Sequence, residues 1–170
     1  GTTPYVLSAQ AGQIVLAQMD KNIYLPNDGN MWDLVSINGN TLSIRLNNNN
    51  NGFNTPQDFN MGSGIYSVAV GDVNNDNFND VVVALGGGPE VRLYLNNQQG
   101  GLVTPATWTY NTAPYVPYNA KVLIGDLGKP NDATANDGWN DIVLTGYYAP
   151  VRIFINQGPP NYFVPAPQLP

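Results

Sequence analysis

Short runs of apolar residues alternate with polar, turn-forming stretches along the whole chain. In the middle of the sequence, three such runs lie near Ile65 to Val70, Asp80 to Leu85 and Val91 to Leu95, and a fourth lies near Thr104 to Tyr110. Short runs rich in Val, Ile and Tyr, bounded by Gly, Asn and Asp, are typical of strands. The Val and Ile runs are nearly continuous, which predicts strands that are buried on both faces. The pattern therefore predicts an all-β fold.

The pattern of strand, Asp-rich loop, strand, turn, strand and Asn/Gly turn occurs three times. Aligned on Asp20, Asp72 and Asp126, the copies are 52 and 54 residues apart. A period of about 50 residues with three or four short strands is typical of a β-propeller blade or a related β-repeat. We divide the single repeat domain, 1–170, into a terminal strand over 1–12 and repeats over 13–64, 65–118 and 119–170.

Additional strands are expected near both ends of the chain. Tyr5 to Gln10 is typical of a strand, and Tyr162 to Pro167 of a Pro-rich edge strand. Closed propellers have about four to eight blades, so three blades do not close alone. We expect three propeller-like blades that are completed by another chain or by a longer protein; a different stacking of the repeats stays open.

Composition and charge exclude several classes of function. The chain has no His and no Cys, which excludes the commonest general base, thiolate nucleophiles, zinc sites and disulfides. A net charge of −6 without a basic stripe argues against nucleic-acid binding. No run approaches the roughly 20 apolar residues of a membrane helix. The Asn-rich, Cys-free chain is expected to be extracellular, either secreted or on a cell surface, and its start is compatible with a cleaved leader.

Ten of the twelve acidic residues lie in the three Asp-rich loops. Crowded carboxylates repel one another unless a cation neutralises them, and carboxylate and amide oxygens favour Ca²⁺. In the middle loop, the predicted ligands are Asp72, Asn74, Asp76 and Asp80 with the backbone carbonyl of Phe78. In the outer loops they are Asp126, Asp137 and Asp141, and Asp20, Asp28 and Asp33.

Two points about these loops stay open. The insertion in the third loop leaves its third-position ligand undecided between Asn131, Asp132 and Asn136. In the first loop, which also has an insertion, Asn22, Asp28 or Asn30 is a candidate to contribute a ligand. The alternative to a metal site is a network of Asx turns, in which Asp and Asn side chains accept hydrogen bonds from their own backbone.

The middle repeat, GDVNNDNFNDVVVALGGGPEVRLYLNN, resembles the VCBS and FG-GAP repeats. These are the calcium-loop repeats of integrin-α-like propellers and of some fungal and bacterial lectins, with a pattern of roughly GDxNxDGxxDLVVA followed by VxVYLNNGxGxF. The resemblance extends to Asn96-Asn97 and Asn156-Gln157-Gly158 and covers nearly the whole chain in three copies. Asn77 stands where the pattern has Gly, and Asn tolerates left-handed conformations. The resemblance implies a Ca²⁺ ion that rigidifies each blade rather than a catalytic ion.

Aromatic residues provide candidate ligand contacts. One stands just before the closing Asp of each loop: Trp32, Phe78 and Trp139. The lectin members of the family suggest that Trp32 and Trp139 stack on sugar rings, with Tyr147 and Tyr148 as further candidates. Packing between the repeats is the alternative.

Two other sets of charged residues have simpler interpretations. Arg92 and Arg152 are predicted to be solvated charges on an exposed strand face. Paired carboxylates such as Asp76 and Asp80 can hydrolyse a glycoside in principle. Three incomplete blades without a substrate domain nevertheless favour a protein that is not an enzyme.

These observations predict a non-enzymatic, extracellular, calcium-stabilised β-propeller-type module for adhesion or for binding carbohydrate or protein. The alternative is a self-assembling structural subunit whose terminal strands join copies into a ring or an extracellular filament. The expected partners are a glycan or protein ligand on a surface or matrix, together with further copies of the chain or the rest of a larger one.

Overall fold

The computed structural model describes residues 12–20, 31–48, 52–86, 90–111, 118–128, 136–147 and 149–166. Within these residues the fold is all-β, as predicted, with twelve strands and no helix. The strands form three antiparallel sheets of four, each built from consecutive strands, which is the arrangement expected of propeller-like blades.

The strand bounds are as follows. Sheet 1 contains β1 (Gln13–Ala17), β2 (Asp33–Asn38), β3 (Thr41–Arg45) and β4 (Gln57–Asn60). Sheet 2 contains β5 (Ile65–Gly71), β6 (Asp80–Leu85), β7 (Glu90–Tyr94) and β8 (Trp108–Asn111). Sheet 3 contains β9 (Tyr118–Gly125), β10 (Asp141–Tyr147), β11 (Ala149–Asn156) and β12 (Phe163–Pro165).

The predicted strands of the middle repeat are found close to their expected bounds. The outer strand begins at Trp108 rather than near Thr104, because 104–107 follow the bend that brings the chain back to the sheet. β12 lies at the edge of sheet 3, where the Pro-rich strand was expected. The strand predicted over Tyr5 to Gln10 lies outside the described residues.

Sheet 2 is packed between the other two sheets. All six residues of β6 are buried, as its unbroken Val-rich run predicts. Val81 and Val83 pack into one apolar core with sheet 1, whereas Val82 and Ala84 pack into a second core with sheet 3. Because successive side chains of a strand point to opposite faces, β6 contributes residues to both cores.

Each sheet has two faces that we name by the direction of the chain. In sheets 1 and 2, the forward face is the one that packs against the sheet that follows in sequence, and the rear face is the opposite one. In sheet 3, the forward face is the one formed by the equivalent residues. Along the second strands, the forward-face residues are Val35 and Ile37, Val82 and Ala84, and Val143 and Thr145. The rear-face residues are Leu34 and Ser36, Val81 and Val83, and Ile142 and Leu144.

The Asp-rich loops lie together at one edge of this stack. Each loop joins the first strand of its sheet to the second strand, and β5 contacts both β1 and β9. Hydrogen bonds connect neighbouring loops, from Asn79 Nδ2 to Gln18 O at 2.9 Å and from Asn75 Nδ2 to Gly138 O at 3.0 Å. We call this edge the loop edge.

Candidate functional site

The closing Asp of each loop is buried at the loop edge and connects strands of its own sheet. Asp33, Asp80 and Asp141 are at most 1% exposed. Each carboxylate accepts one backbone N–H from the second residue after the first strand and one from an Asn at or two residues past the end of the third strand, at 2.7–2.9 Å. The donors are Met19 and Asn47 for Asp33, Val73 and Asn96 for Asp80, and Leu127 and Asn156 for Asp141. Both oxygens of each side chain therefore connect three strands of one sheet.

A second buried side chain connects neighbouring sheets. Asn96 Nδ2 donates to Met19 O in sheet 1 at 2.8 Å and to Asn79 O in its own loop at 2.9 Å. Asn156 Nδ2 repeats this pattern in sheet 3, where it donates to Val73 O and Asn140 O. This role was not predicted from the sequence, although an Asn at or just past the end of the third strand of all three repeats is its signal.

The equivalent hydrogen bonds correct the alignment of the first loop. Because Met19 binds Asp33 as Val73 binds Asp80, Gln18 occupies the position of Asp72 and Asp126. The alignment on Asp20 was therefore wrong by two residues. Asp20 directly follows Met19, and its backbone N–H also donates to Asp33 Oδ2, at 3.3 Å. Asp28 lies outside the described residues.

The middle loop is a compact chain of Asx hydrogen bonds. Asn74 Oδ1 accepts from Asp76 N at 3.0 Å, and Asp76 Oδ1 accepts from Phe78 N at 2.8 Å. Asp72 Oδ2 accepts from Asn77 N at 2.7 Å. Asn77 has a positive φ of 68°, as expected for the place where the repeat pattern has Gly. The loop thus combines the Asx-turn network with the oxygen-rich composition of a cation site.

The third loop repeats this geometry despite its insertion. Asp126 Oδ2 accepts from Gly138 N at 2.9 Å, and Asp137 Oδ1 accepts from Trp139 N at 3.0 Å. These contacts place Asp137 at the position of Asp76. Asn136 then corresponds to Asn75 rather than to Asn74, and both residues have a φ of 58°. Asn131 and Asp132 lie outside the described residues.

One oxygen of the middle loop departs from this satisfied network. Asp72 Oδ1 is buried and has no hydrogen-bond partner. A buried polar atom without a partner costs free energy, and a carboxylate oxygen is a preferred ligand of Ca²⁺. In the described part of the chain, no three acidic side chains form a metal cluster as they stand. The donor types of the middle loop nonetheless fit a hard cation.

The pKa values of two closing Asp residues, Asp80 and Asp141, are raised. Burial raises the pKa of Asp80 from 3.8 to about 7, against the opposing effect of hydrogen bonds from Asn96 and Val73, and the charges of Asp76 and Asp72 raise it further. Burial likewise raises the pKa of Asp141, with Asp137 and Asp126 adding to the effect. A nearby cation would oppose these shifts because it favours ionised carboxylates.

The candidate aromatic residues do not form one surface. Trp32 is 57% exposed at the loop edge, where it occupies the position of Asn79 and Asn140 rather than that of Phe78 and Trp139. Trp139 is half-buried, and its ring lies against Gly158. Tyr147 is exposed at the opposite end of β10, and Tyr148 lies outside the described residues. Of the described candidates, Trp32 therefore combines a position at the loop edge with high exposure, and Trp139 and Tyr147 do not.

The two Arg residues are not simply solvated, so that prediction was wrong. Arg92 pairs with Glu90, and its Nη1 donates to Met61 O at 3.0 Å, which connects sheet 2 to the end of sheet 1. Arg152 Nη1 donates to Tyr110 Oη at 3.1 Å, and its guanidinium lies 5.9 Å from the centre of that ring. Both side chains cross from the rear face of their sheet to the preceding sheet.

Comparison with known families agrees with this architecture. A model described as "FG-GAP-like repeat" matches residues 25–83, and one described as "FG-GAP repeat" matches residues 64–104. No curated protein matches the chain. FG-GAP repeats are typical of extracellular or surface proteins and often bind calcium. No helix among the described residues is long and apolar enough to cross a membrane. The chain is therefore similar to FG-GAP repeats over residues 25–104, and its sheets are arranged as propeller-like blades.

Proposed function

We propose that the chain is a non-enzymatic, extracellular, calcium-stabilised binding module whose loop edge contacts a glycan or a protein ligand. The observation that carries this proposal is the buried, unpartnered Asp72 Oδ1 in a loop that is otherwise satisfied by its own backbone. A Ca²⁺ ion is the group that supplies a partner for this oxygen and offsets the loop's negative charge.

The middle loop provides the ligands for this ion. Asp72 and Asp76 supply charge, Asn74 an amide oxygen and Phe78 a backbone carbonyl. Asp80 already accepts two backbone N–H groups, so we expect it to contribute only through the remaining lone pairs of its oxygens. In the third loop, Asp126, Asp137 and Asp141 are the corresponding residues. In the first loop only Asp33 retains its place, with Asp20 and Asp28 as neighbours in sequence, so we expect weaker binding there.

Calorimetric titration of the chelator-treated chain with Ca²⁺ tests this step. The parent is expected to bind saturably, and Asp72→Asn to lose at least about tenfold in affinity because it removes a charge and keeps the shape. Asp58→Asn is the matched control, since Asp58 is outside the loops and accepts a hydrogen bond from Ser43 Oγ. Equal affinity in the parent and Asp72→Asn contradicts the site, and absence of binding in the parent contradicts the metal.

Trp32 is the side chain best placed to contact a ligand. Its indole is exposed beside the acidic loops, and an aromatic ring with neighbouring Asn and Asp side chains can stack on a sugar while the polar groups bind its hydroxyls. A glycan array in calcium buffer is the direct test. Trp32→Ala should abolish binding, while Val103→Ala, an exposed apolar residue in another loop, should retain it. Equal glycan binding by parent and Trp32→Ala would refute this assignment.

The carboxylates considered for glycoside hydrolysis support a binding role instead. Asp80 is fully buried and holds two backbone N–H groups, so it is not available to a substrate. Asp76 Oδ1 accepts from the Phe78 backbone and Asp76 Oδ2 accepts from Gln98 Nε2 at 3.2 Å. Both residues are thus engaged in shaping the loop.

A further inference from the structure

The forward face of sheet 3 is open, although the same face is covered in sheets 1 and 2. Leu127, which follows β9, is 53% exposed, whereas Met19 and Val73 at the equivalent position are fully buried. Val151 is 44% exposed, and its equivalents Leu42 and Val91 are at most 1% exposed. Leu123 on β9 is 60% exposed. The face thus keeps an apolar composition that elsewhere in the chain is always covered by a following sheet.

We call the interface between two neighbouring sheets a joint. Both joints within the chain contain polar contacts as well as apolar packing. Gln13 Oε1 on sheet 1 accepts from Val68 N at 3.1 Å, and Ser67 Oγ on sheet 2 accepts from Val122 N at 3.2 Å. In the other direction, Asn96 Nδ2 of sheet 2 donates to Met19 O, and Asn156 Nδ2 of sheet 3 donates to Val73 O. Gln13 Nε2 also donates to Val68 O at 3.0 Å. Each joint therefore has hydrogen bonding by a forward-face side chain as well as one hydrogen bond from Asn96 or Asn156 to the preceding sheet.

Sheet 3 presents the forward half of such a joint. The strand pairings place Lys121 at the position of Gln13 and Ser67, opposite Thr145 as they are opposite Ile37 and Ala84. The carbonyl of Leu127 takes the position of Met19 O and Val73 O, since Leu127 N binds Asp141 as theirs bind Asp33 and Asp80.

The rear face of sheet 1 presents the other half. Ile14, Leu16 and Leu34 lie there, and Leu16 is 58% exposed. Asn47 occupies the position of Asn96 and Asn156, with its backbone N–H on the closing Asp. Ser36 and Arg45 stand where sheet 2 has Val83 and Tyr94. This rear face is therefore less apolar than those inside the chain, which favours a weaker joint.

We infer that the forward face of sheet 3 is an interface for the rear face of sheet 1 of a second copy of this chain. The joint continues the stacking already made twice within the chain, with Leu123 and Val143 against Leu16 and Leu34. Asn47 of one copy would donate to Leu127 O of the other, and Lys121 to the Ile14 carbonyl. Pairing of two sheet 3 faces would provide no such Asn. A head-to-tail joint of this kind closes into a ring if the rotation permits and otherwise extends as a filament.

The mass of the full chain in solution tests the interface. Light scattering and sedimentation in calcium buffer should give at least twice the 18.3 kDa of one chain. Leu123→Asp should raise the dissociation constant by at least about tenfold, because it buries a charge against apolar residues. Val103→Asp is the matched control, since Val103 is 45% exposed in a loop of sheet 2. Circular dichroism verifies that both variants are folded.

A mixing experiment identifies the partner face. Leu16→Asp should also weaken assembly, and an equimolar mixture of Leu16→Asp with Leu123→Asp should form heterodimers, because one intact face of each remains. A monomeric parent, or assembly unchanged by Leu123→Asp, overturns the interface. Assembly that responds to Leu123→Asp but not to Leu16→Asp, or a mixture that stays monomeric, overturns the second copy's sheet 1 as its occupant. None of these outcomes depends on Ca²⁺ affinity or glycan binding.

Discussion

Two polar side chains, a closing Asp and the Asn that ends the third strand, connect the strands and sheets at the loop edge. Asp80 accepts only from backbone groups of its own sheet, whereas Asn96 reaches a carbonyl of the sheet before it. Buried polar groups are stabilising only when their partners are complete. Both residues therefore fix the geometry of the loops that they adjoin.

The elevated pKa of Asp80 predicts how stability depends on pH in the presence of a chelator. Between about pH 4 and 7 the folded chain retains a proton that the unfolded chain has lost, so the free energy of unfolding should fall as pH rises through this window. The loss should reach a few kcal/mol at most, since each pH unit of such a difference is worth about 1.4 kcal/mol. Urea titrations at several pH values measure it.

Asp80→Asn is the control for that slope. The amide cannot ionise, so the dependence of stability on pH should become flatter, with a smaller slope to which Asp141 contributes. Overall stability should also fall, because an amide oxygen can accept from only one of the two backbone N–H groups. Stability of the parent that rises between pH 5 and 7 would contradict the assignment.

The inter-sheet role of Asn156 predicts a large cost for its removal. Asn156→Ala leaves the buried Val73 carbonyl and the partly buried Asn140 carbonyl without this donor, and should lower the free energy of unfolding by about 1–3 kcal/mol. Asn38→Ala, at an exposed position at the end of β2, should change it by less than about 0.5 kcal/mol. Denaturant melts of both variants give the comparison, and equal costs would contradict the bridging role.

At the scale of strands, apolar runs and turn residues were sufficient to predict β5, β6 and β7 almost to the residue. The Val-rich run of β6 allows little besides a strand with two buried faces. The first loop was harder, because its insertion hides the register and Asp20 resembles the leading Asp of the other loops. Only the backbone partners of Asp33 show that Gln18 holds that position.

Contacts between sheets were not predictable from the sequence for a related reason. Arg92 and Arg152 stand on strands where alternation suggests an exposed face, and their partners, Met61 O and Tyr110 Oη, are 31 and 42 residues away. Trp32 likewise appeared equivalent to Phe78 and Trp139 from its proximity to an Asp. A shift of one residue in a strand changes the face of a side chain, so proximity in sequence does not decide equivalence.

The two-sided burial of β6 predicts unequal effects at equivalent positions. Val82→Ala removes methyl groups from the core between sheets 2 and 3 and should cost about 2 kcal/mol. Val143→Ala, at the equivalent position on the open face of sheet 3, should cost less than about 1 kcal/mol when measured at a protein concentration low enough to keep the chain monomeric. Thermal denaturation of both variants gives the difference. A Val143→Ala cost as large as that of Val82→Ala would show that this face is already covered within one chain.

At the scale of the whole molecule, stacking gives the three sheets different surroundings. Among the residues that the structure describes, sheet 2 has a neighbour on each face, whereas sheets 1 and 3 each pack against one other sheet. Local opening requires less free energy where fewer apolar contacts are lost. The stack therefore has its most stable part in the middle, and a further copy would extend that protection to the ends.

Amide hydrogen exchange should show this gradient and its change on assembly. In Leu123→Asp, which we expect to be monomeric, β6 should exchange most slowly. β10 and β2 should exchange faster, because in the described part of the chain another sheet covers each of them on one face only. In the concentrated parent, protection of β10 and β2 should rise together, since the inferred joint covers the forward face of sheet 3 and the rear face of sheet 1 at once. Val103→Asp should behave as the parent. Protection that rises at β10 alone would instead place sheet 3 against itself, and a profile independent of concentration would mean that neither face is covered by another copy.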